Sequence, residues 1–439
     1  MEEIYRSAVG VVVCLTTHDF AHSTTSCRSV RAMECIRRVY ENVPELDKFL
    51  TSKDDSACVN WEADWDLKRK VHFRLHEYLV SAIRDKAFRV CWLDVLRMRS
   101  MPWFSRVWVL QEYACHENVI FLFASQHIDG KVLAAVLLTY LWDRQVPSMV
   151  DHMITQLHAS EGLITQCDQS DSSDTSPARH WLSLNSYVYN TLRIKSYAPQ
   201  QRRCIVDLLN HSRISIASDK RDHVYSCLGL ASDTYGIKPY YKPDLSAEAL
   251  FTHVMRLILL NTQDINIIQC ASTALGNHSE SLPSWVPDWS ESRQREDAQY
   301  YNFYEGGLRA GGDTCVDIEF LDDGTTLQTK GVLLDTLVVE IKEQVWRGQR
   351  ADIVNTFNNP RGRILQPDAH ISPKPPKQGD EVWILYGSAL PFLLRRVGTD
   401  YLFLRPVFVQ SIDGTNVGSG EFMELKVDLA TQTKTLRIR

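Results

Sequence analysis

The chain has 439 residues, 44% of them hydrophobic and 23% charged, with a formal net charge of −6. That length asks for two domains, and the composition is that of an ordinary globular protein. A negative balance supplies no basic face for nucleic acid or acidic lipid, so neither is expected as a partner.

The 11 cysteines are odd in number and spread from Cys14 to Cys315 with no C-x-x-C pair. That pattern fits reduced thiols of the cytoplasm better than a disulfide framework or a structural zinc site. The longest apolar run, residues 132–142, is about half of the ~20 residues a membrane span needs. The histidines are scattered, and there is no G-x-x-x-x-G-K-[ST], no G-x-G-x-x-G after a strand and no G-x-S-x-G. No metal and no cofactor are expected, which leaves a protein partner or an apolar small molecule.

Residues 7–17 form a short, β-branched, continuously apolar run, the composition of a fully buried strand of a parallel sheet. Residues 28–50 and 65–90 have helical periodicity. In the second, Val71, Leu75, Tyr78, Leu79 and Ile83 share one face, and Lys68, Arg69, Arg74 and Arg84 share the other. Residues 101–112, M-P-W-F-S-R-V-W-V-L-Q-E, read as a buried helix with Pro102 at its first position. Trp103, Val107, Leu110 and Ala114 would form one row of it, and Phe104, Trp108 and Cys115 a second. Residues 118–123 follow as another buried strand and 130–142 as a helix.

Residues 167–180 have exchanged large apolar side chains for serine and aspartate and read as a solvated loop. A helix ends near Arg213, and Ser218 or Asp219 caps the next one, whose buried face is Val224, Cys227, Leu228 and Ala231. Residues 245–260 read as a further helix, and the aromatic turn 282–290 closes a first domain, 1–290. Beyond it the periodicity alternates, and Asp323-Gly324 between two apolar runs signals a hairpin. The second domain, 291–439, is therefore expected to be mostly β, with a Pro/Lys-rich loop at 359–379.

Four stretches together resemble the fungal heterokaryon-incompatibility (HET) domain family: P-W-F-S-R-V-W-V-L-Q-E at 102–112, A-S-D-K-R-D-H-V-Y-S-C-L-G-L-A at 217–231, L-P-S-W-V-P-D-W at 282–289 and G-D-E-V-W-I-L-Y-G-S-A-L-P-F-L-L-R at 379–395. The opening I-Y-R-S-A-V-G-V-V-V-C-L resembles an internal helix-strand segment of that family. The Tyr/Ser-x-x-W-G and Asp-x-x-C-I-N-Q elements that precede it there are absent here. The resemblance implies an α/β, TIR-like fold, rich in helices and lacking the start of the HET domain, followed by a smaller mostly-β C-terminal domain. It also implies a role in non-self recognition and cell death.

Burying an unpaired charge is costly, so Arg106 and Glu112, set among apolar rows, each need a partner. Arg221 or Asp222 of the second stretch would lock two helices together. Alternatively Glu112, Arg106 and Arg221 form a catalytic set, with Trp103, Trp108, Asp222, Tyr225, Trp285, Asp288 and Trp289 lining a substrate site. The chemistry would then be a cofactor-free cyclisation or isomerisation of an apolar specialised metabolite, of pericyclase or cyclase type, or a TIR-like cleavage of NAD. An exposed sheet edge near residues 8–15 would favour recognition, and a deep closed apolar pocket would favour catalysis.

Overall fold

A computed structural model of the chain describes residues 4, 7–15, 23–51, 61–142, 150, 153–154, 156, 185, 187–195, 204–271, 281–291, 309–337, 339–347, 350–359, 362–365, 376–410 and 432–439. They fall into two compact units, residues 1–218 with 226–232, and residues 219–225 with 233–439. The expected loop at 167–180 lies outside the described residues. Among the described residues, no helix is long and apolar enough to cross a membrane.

The first unit is helical around a small sheet. Its elements are β1 (Val11–Cys14), α1 (Ser23–Asn42), α2 (Leu46–Thr51), α3 (Trp61–Ala82), α4 (Lys86–Arg99), α5 (Val109–Ala114), β2 (Val119–Phe123), β3 (Gln126–Asp129), α6 (Gly130–Leu141) and α7 (Ile205–Ser212). The periodic run at 65–90 is two helices. Asp85 breaks it with an extended backbone, and its side chain accepts from the Ala87 N–H to start α4, the service aspartate performs better at a cap than inside a helix. Lys68, assigned to the solvent face, is buried with its ammonium over the Phe49 ring.

Helix α6 is apolar on every side, and each residue from Leu133 to Leu141 is buried. It packs against α1, α2, α3 and both neighbouring strands. Each fully buried leucine or valine there contributes about 1.5–3 kcal/mol. Asp129 caps its N-terminus through the Lys131 N–H. Gly130 is required because a Cβ would stand 2.9 Å from the Val119 carbonyl oxygen.

In the sheet, β1 runs parallel to β2 and β3 returns antiparallel. Val11, Val13, Val119, Phe121 and Phe123 are buried, while Val12, Cys14 and Ile120 are exposed. The expectation of a fully buried first strand is thus corrected. Composition marks a strand as apolar without telling which of its faces the helices cover.

The second unit holds α9 (Ala247–Thr262) and the strands β4 (Ile318–Leu321), β5 (Thr326–Thr336), β6 (Val339–Arg347), β7 (Arg350–Asn359), β8 (Gly362–Leu365), β9 (Glu381–Leu385), β10 (Phe392–Val397), β11 (Asp400–Pro406), β12 (Phe408–Gln410) and β13 (Thr433–Ile438). Helix α8 (Asp222–Leu228) is divided between the two units. The long β5 pairs with β4 and β9 along one edge and with β13 along the other, and β13 joins β11 in parallel at Tyr401–Ile438. The order β5–β9–β10–β11–β13 therefore closes on itself, leaving no open edge within that ring. Leu334, Leu337, Val382, Ile384, Leu393, Leu404 and Val407 fill one cluster of its core.

Asp323 and Gly324 take positive φ and turn β4 into β5, as the Asp-Gly pair predicts. The expected loop at 359–379 contains a strand, β8, paired antiparallel with β7; residues 360–361 and 366–375 of it lie outside the described residues. The compact units divide earlier than the change of periodicity near residue 291. The Trp285 indole donates to the Thr325 carbonyl and Arg256 of α9 lies over Phe320, so helix and turn group with the strands.

Candidate functional site

The aromatic stretch at 101–112 is not one helix. Residues Pro102–Ser105 make a 3-10 turn with Pro102 at its start, Arg106 is extended, and α5 begins at Val109. The interruption is a parallel bridge between Arg106 and Ile216. The Ile216 N–H donates to the Ser105 carbonyl at 2.6 Å and the Val107 N–H to the Ile216 carbonyl at 3.0 Å. Two backbone bonds to a distant segment replace the helical pattern the spacing predicts.

Trp103 and Phe104 are buried. The Trp103 ring meets Phe104 and Phe121 edge-on at 5.2 and 5.3 Å. Its indole N–H donates to Glu112 at 2.9 Å, so Glu112, half-buried, has found its partner nine residues away within the same motif. Arg106 is exposed, contrary to the expectation that it sits among apolar neighbours. Trp108 is half-buried, and Gln111 is buried with its amide donating to the Ser226 carbonyl.

A second cluster gathers around Arg221. Asp219 accepts from the Arg221 backbone N–H at 2.9 Å and from its guanidinium at 2.7 and 3.0 Å. The remaining nitrogen, Nη1, donates to the carbonyls of Lys242 and Leu245. Tyr241 donates to Asp222 at 2.5 Å, its ring lies under the guanidinium at 5.3 Å, and Tyr225 donates to the Tyr240 carbonyl. The Arg221 hydrogen bonds hold the Asp219 carboxyl below its ordinary pKa. Burial, and then the bond to Asp222, pushes the Tyr241 hydroxyl up. Asp219 also caps the first turn, as the sequence predicts.

Trp285 and Trp289 are fully buried and Asp288 nearly so. Asp288 accepts from the Ser290 N–H and hydroxyl, which closes the turn on itself. Within each unit the candidates are thus brought together as Trp103 with Glu112, and as Arg221 with Asp222 and Tyr225.

No family profile matches the chain, and no solved structure matches it. A curated relative does. The chain is similar to Heterokaryon incompatibility protein 6, OR allele, of Neurospora crassa. The two are 24% identical over 399 residues, covering 83% of this chain. The chain spans about half the length, 52%, of that relative. The likeness supports a relation to the heterokaryon-incompatibility proteins and a fungal origin. The motif residues Trp103, Glu112, Asp219 and Arg221 are each engaged in a local bond. What motif reading missed is the uncovered side of β1, because the signal for it is burial and not residue type.

Proposed function

We propose that this chain is a heterokaryon-incompatibility-type recognition protein of the fungal cytoplasm, which transmits a non-self signal through protein contacts on the open side of β1. The single observation that carries the reading is the state of that strand. Val12 is 59% exposed and Ile120, opposite it on β2, 42%. Strand β1 also ends the sheet, so among the described residues its second edge has no strand partner. Parallel sheets are ordinarily covered on both faces, and an apolar sheet face with an unpaired edge is a template for another chain. The relation to TIR folds belongs to this reading on the resemblance alone.

The local bonds of Glu112 and Arg221 speak for a structural role of the two motifs within this reading. The test is expression in a fungal host with a cell-death readout. Val12→Lys and Ile120→Lys are expected to keep the far-ultraviolet circular dichroism of the parent and abolish the death phenotype. Survival of the phenotype in both folded variants would end the proposal.

A further inference from the structure

Two cysteines meet in the middle of the packed helix pair α1 and α4. Arg31 of α1 donates to Asp94 of α4 at 2.7 Å, and the Arg38 guanidinium lies 5.5 Å from the centroid of the Phe88 ring. These contacts run in opposite chain directions, so the helices are antiparallel and their register is fixed at two points. Residues three or four apart share one face of a helix. Cys35 therefore lies between Arg31 and Arg38 on α1, and Cys91 lies at the same level between Phe88 and Asp94 on α4. Cys35 is 2% exposed, whereas Cys91 is half-buried and reaches solvent.

We propose that Cys35 and Cys91 are a dithiol modification site, which hydrogen peroxide closes into a disulfide that fastens α1 to α4. The half-buried thiol is the one a small oxidant reaches. The Cys91 sulfur, as thiolate, attacks one oxygen of the peroxide, the O–O bond breaks, and a sulfenic acid and water result. The Cys35 sulfur, having given up its proton, then attacks the Cys91 sulfur. The S–S bond forms, the S–O bond breaks, and the departing hydroxide takes up the Cys35 proton as water. Two thiols have lost two electrons, and one peroxide has become two waters.

The surroundings set the pace of each step. Burial, and then the neighbouring Cys91, push the Cys35 thiol up, against the pull of Arg38. Burial raises Cys91 as well, with Arg31 and Arg38 opposing it and Asp94 and Glu34 reinforcing it. Thiolate is the reactive form, so the first step is slow at neutral pH and quickens as pH rises. The second step needs no encounter, because Cys35 already stands across from the sulfenic acid. A thiol alone at Cys91 would go on to sulfinic acid, which thiols do not reverse; the facing Cys35 diverts it into a bond that a dithiol reductant reopens. The crosslink closes the chain from residue 35 to residue 91, which removes conformational freedom from the unfolded state. This pair is independent of the contact surface on β1.

The experiment treats the full chain, dilute and fully reduced, with hydrogen peroxide at pH 7 and at pH 8.5. Remaining thiols are blocked with N-ethylmaleimide, and tryptic peptides are mapped by mass without reduction. Peptide 32–37 joined to peptide 90–97 is expected as the main disulfide, formed at least ~5-fold faster at the higher pH. The oxidised chain should melt at least ~5 °C above the reduced one, and dithiothreitol should reverse both changes. Absence of the crosslink in the parent overturns the proposal, whether Cys91 stays reduced or is carried to sulfinic acid, and so does a crosslink that leaves the melting temperature unchanged. Cys35→Ser should send Cys91 on to sulfinic acid, and a Cys91 that resists overoxidation as well in that folded variant as in the parent overturns the proposal too.

Discussion

The indole N–H of Trp103 donates to the carboxylate of Glu112 at 2.9 Å, across the break that Arg106 makes between a 3-10 turn and α5. The bond spans the two halves of the motif, so it fixes their relative position. Trp103→Phe keeps an aromatic ring against Phe104 and Phe121 and removes the donor. It is expected to lower stability by about 1–3 kcal/mol, read as a shift of the urea midpoint. Glu112→Gln retains an accepting oxygen and should cost under about 1 kcal/mol. A coupling energy of zero in the double-mutant cycle would show that the two side chains are merely adjacent.

Arg106 supplies backbone, not charge, to the bridge with Ile216. Arg106→Ala should therefore leave stability within about 0.5 kcal/mol, as at an ordinary exposed position. Ile216→Pro removes the N–H that donates to Ser105 at 2.6 Å, and a cost of about 3 kcal/mol or more is expected. The reverse ranking in thermal unfolding would mean that the guanidinium holds the motif.

These two residues also show where sequence reading stops. Pro102 at the head of a turn, the cap at Asp219, the Asp323-Gly324 hairpin and the apolar helix at 130–141 were all legible, because each depends on residues a few positions apart. The break at Arg106 was not, since its cause is Ile216, 110 positions downstream. Closure of the β5–β13 ring was illegible for the same reason, and so was the bare face of Val12, whose neighbours in sequence are as apolar as it is. The partner of Glu112 was visible only as a requirement, with the wrong donor assigned.

Asp219 titrates as part of its bonds to Arg221. Its folded pKa is lowered, chiefly by the side-chain hydrogen bonds to Arg221. Folding therefore favours the ionised form. The stabilisation is fully present above the unfolded aspartate pKa of about 3.9, and it is lost as pH falls from there through the lower folded value. Asp219→Asn should unfold at a lower temperature than the parent at pH 6, and the two melting temperatures should converge in acid. A gap that stays constant between pH 6 and pH 2.5 would rule out the carboxylate as its source.

Asp380 offers the sharpest contrast between breaking an ion pair and replacing it. Its side chain is 3% exposed and accepts from Arg395 Nε at 2.8 Å, from Arg395 Nη2 at 2.9 Å and from the Lys377 N–H at 2.8 Å. The Leu337 N–H in turn donates to the Asp380 carbonyl, so the pair sits where β5 hands the ring over to β9 and β10. Arg395→Met leaves a nearly buried carboxylate with one backbone donor, and about 3–5 kcal/mol should be lost. Replacing both partners, Asp380→Asn with Arg395→Met, removes the stranded charge together with its partner and should recover most of that loss. Urea denaturation of the parent, the single variants and the double variant decides the matter. If the double variant is as unstable as Arg395→Met alone, the cost lies in the packing of the arginine stem and not in the abandoned charge.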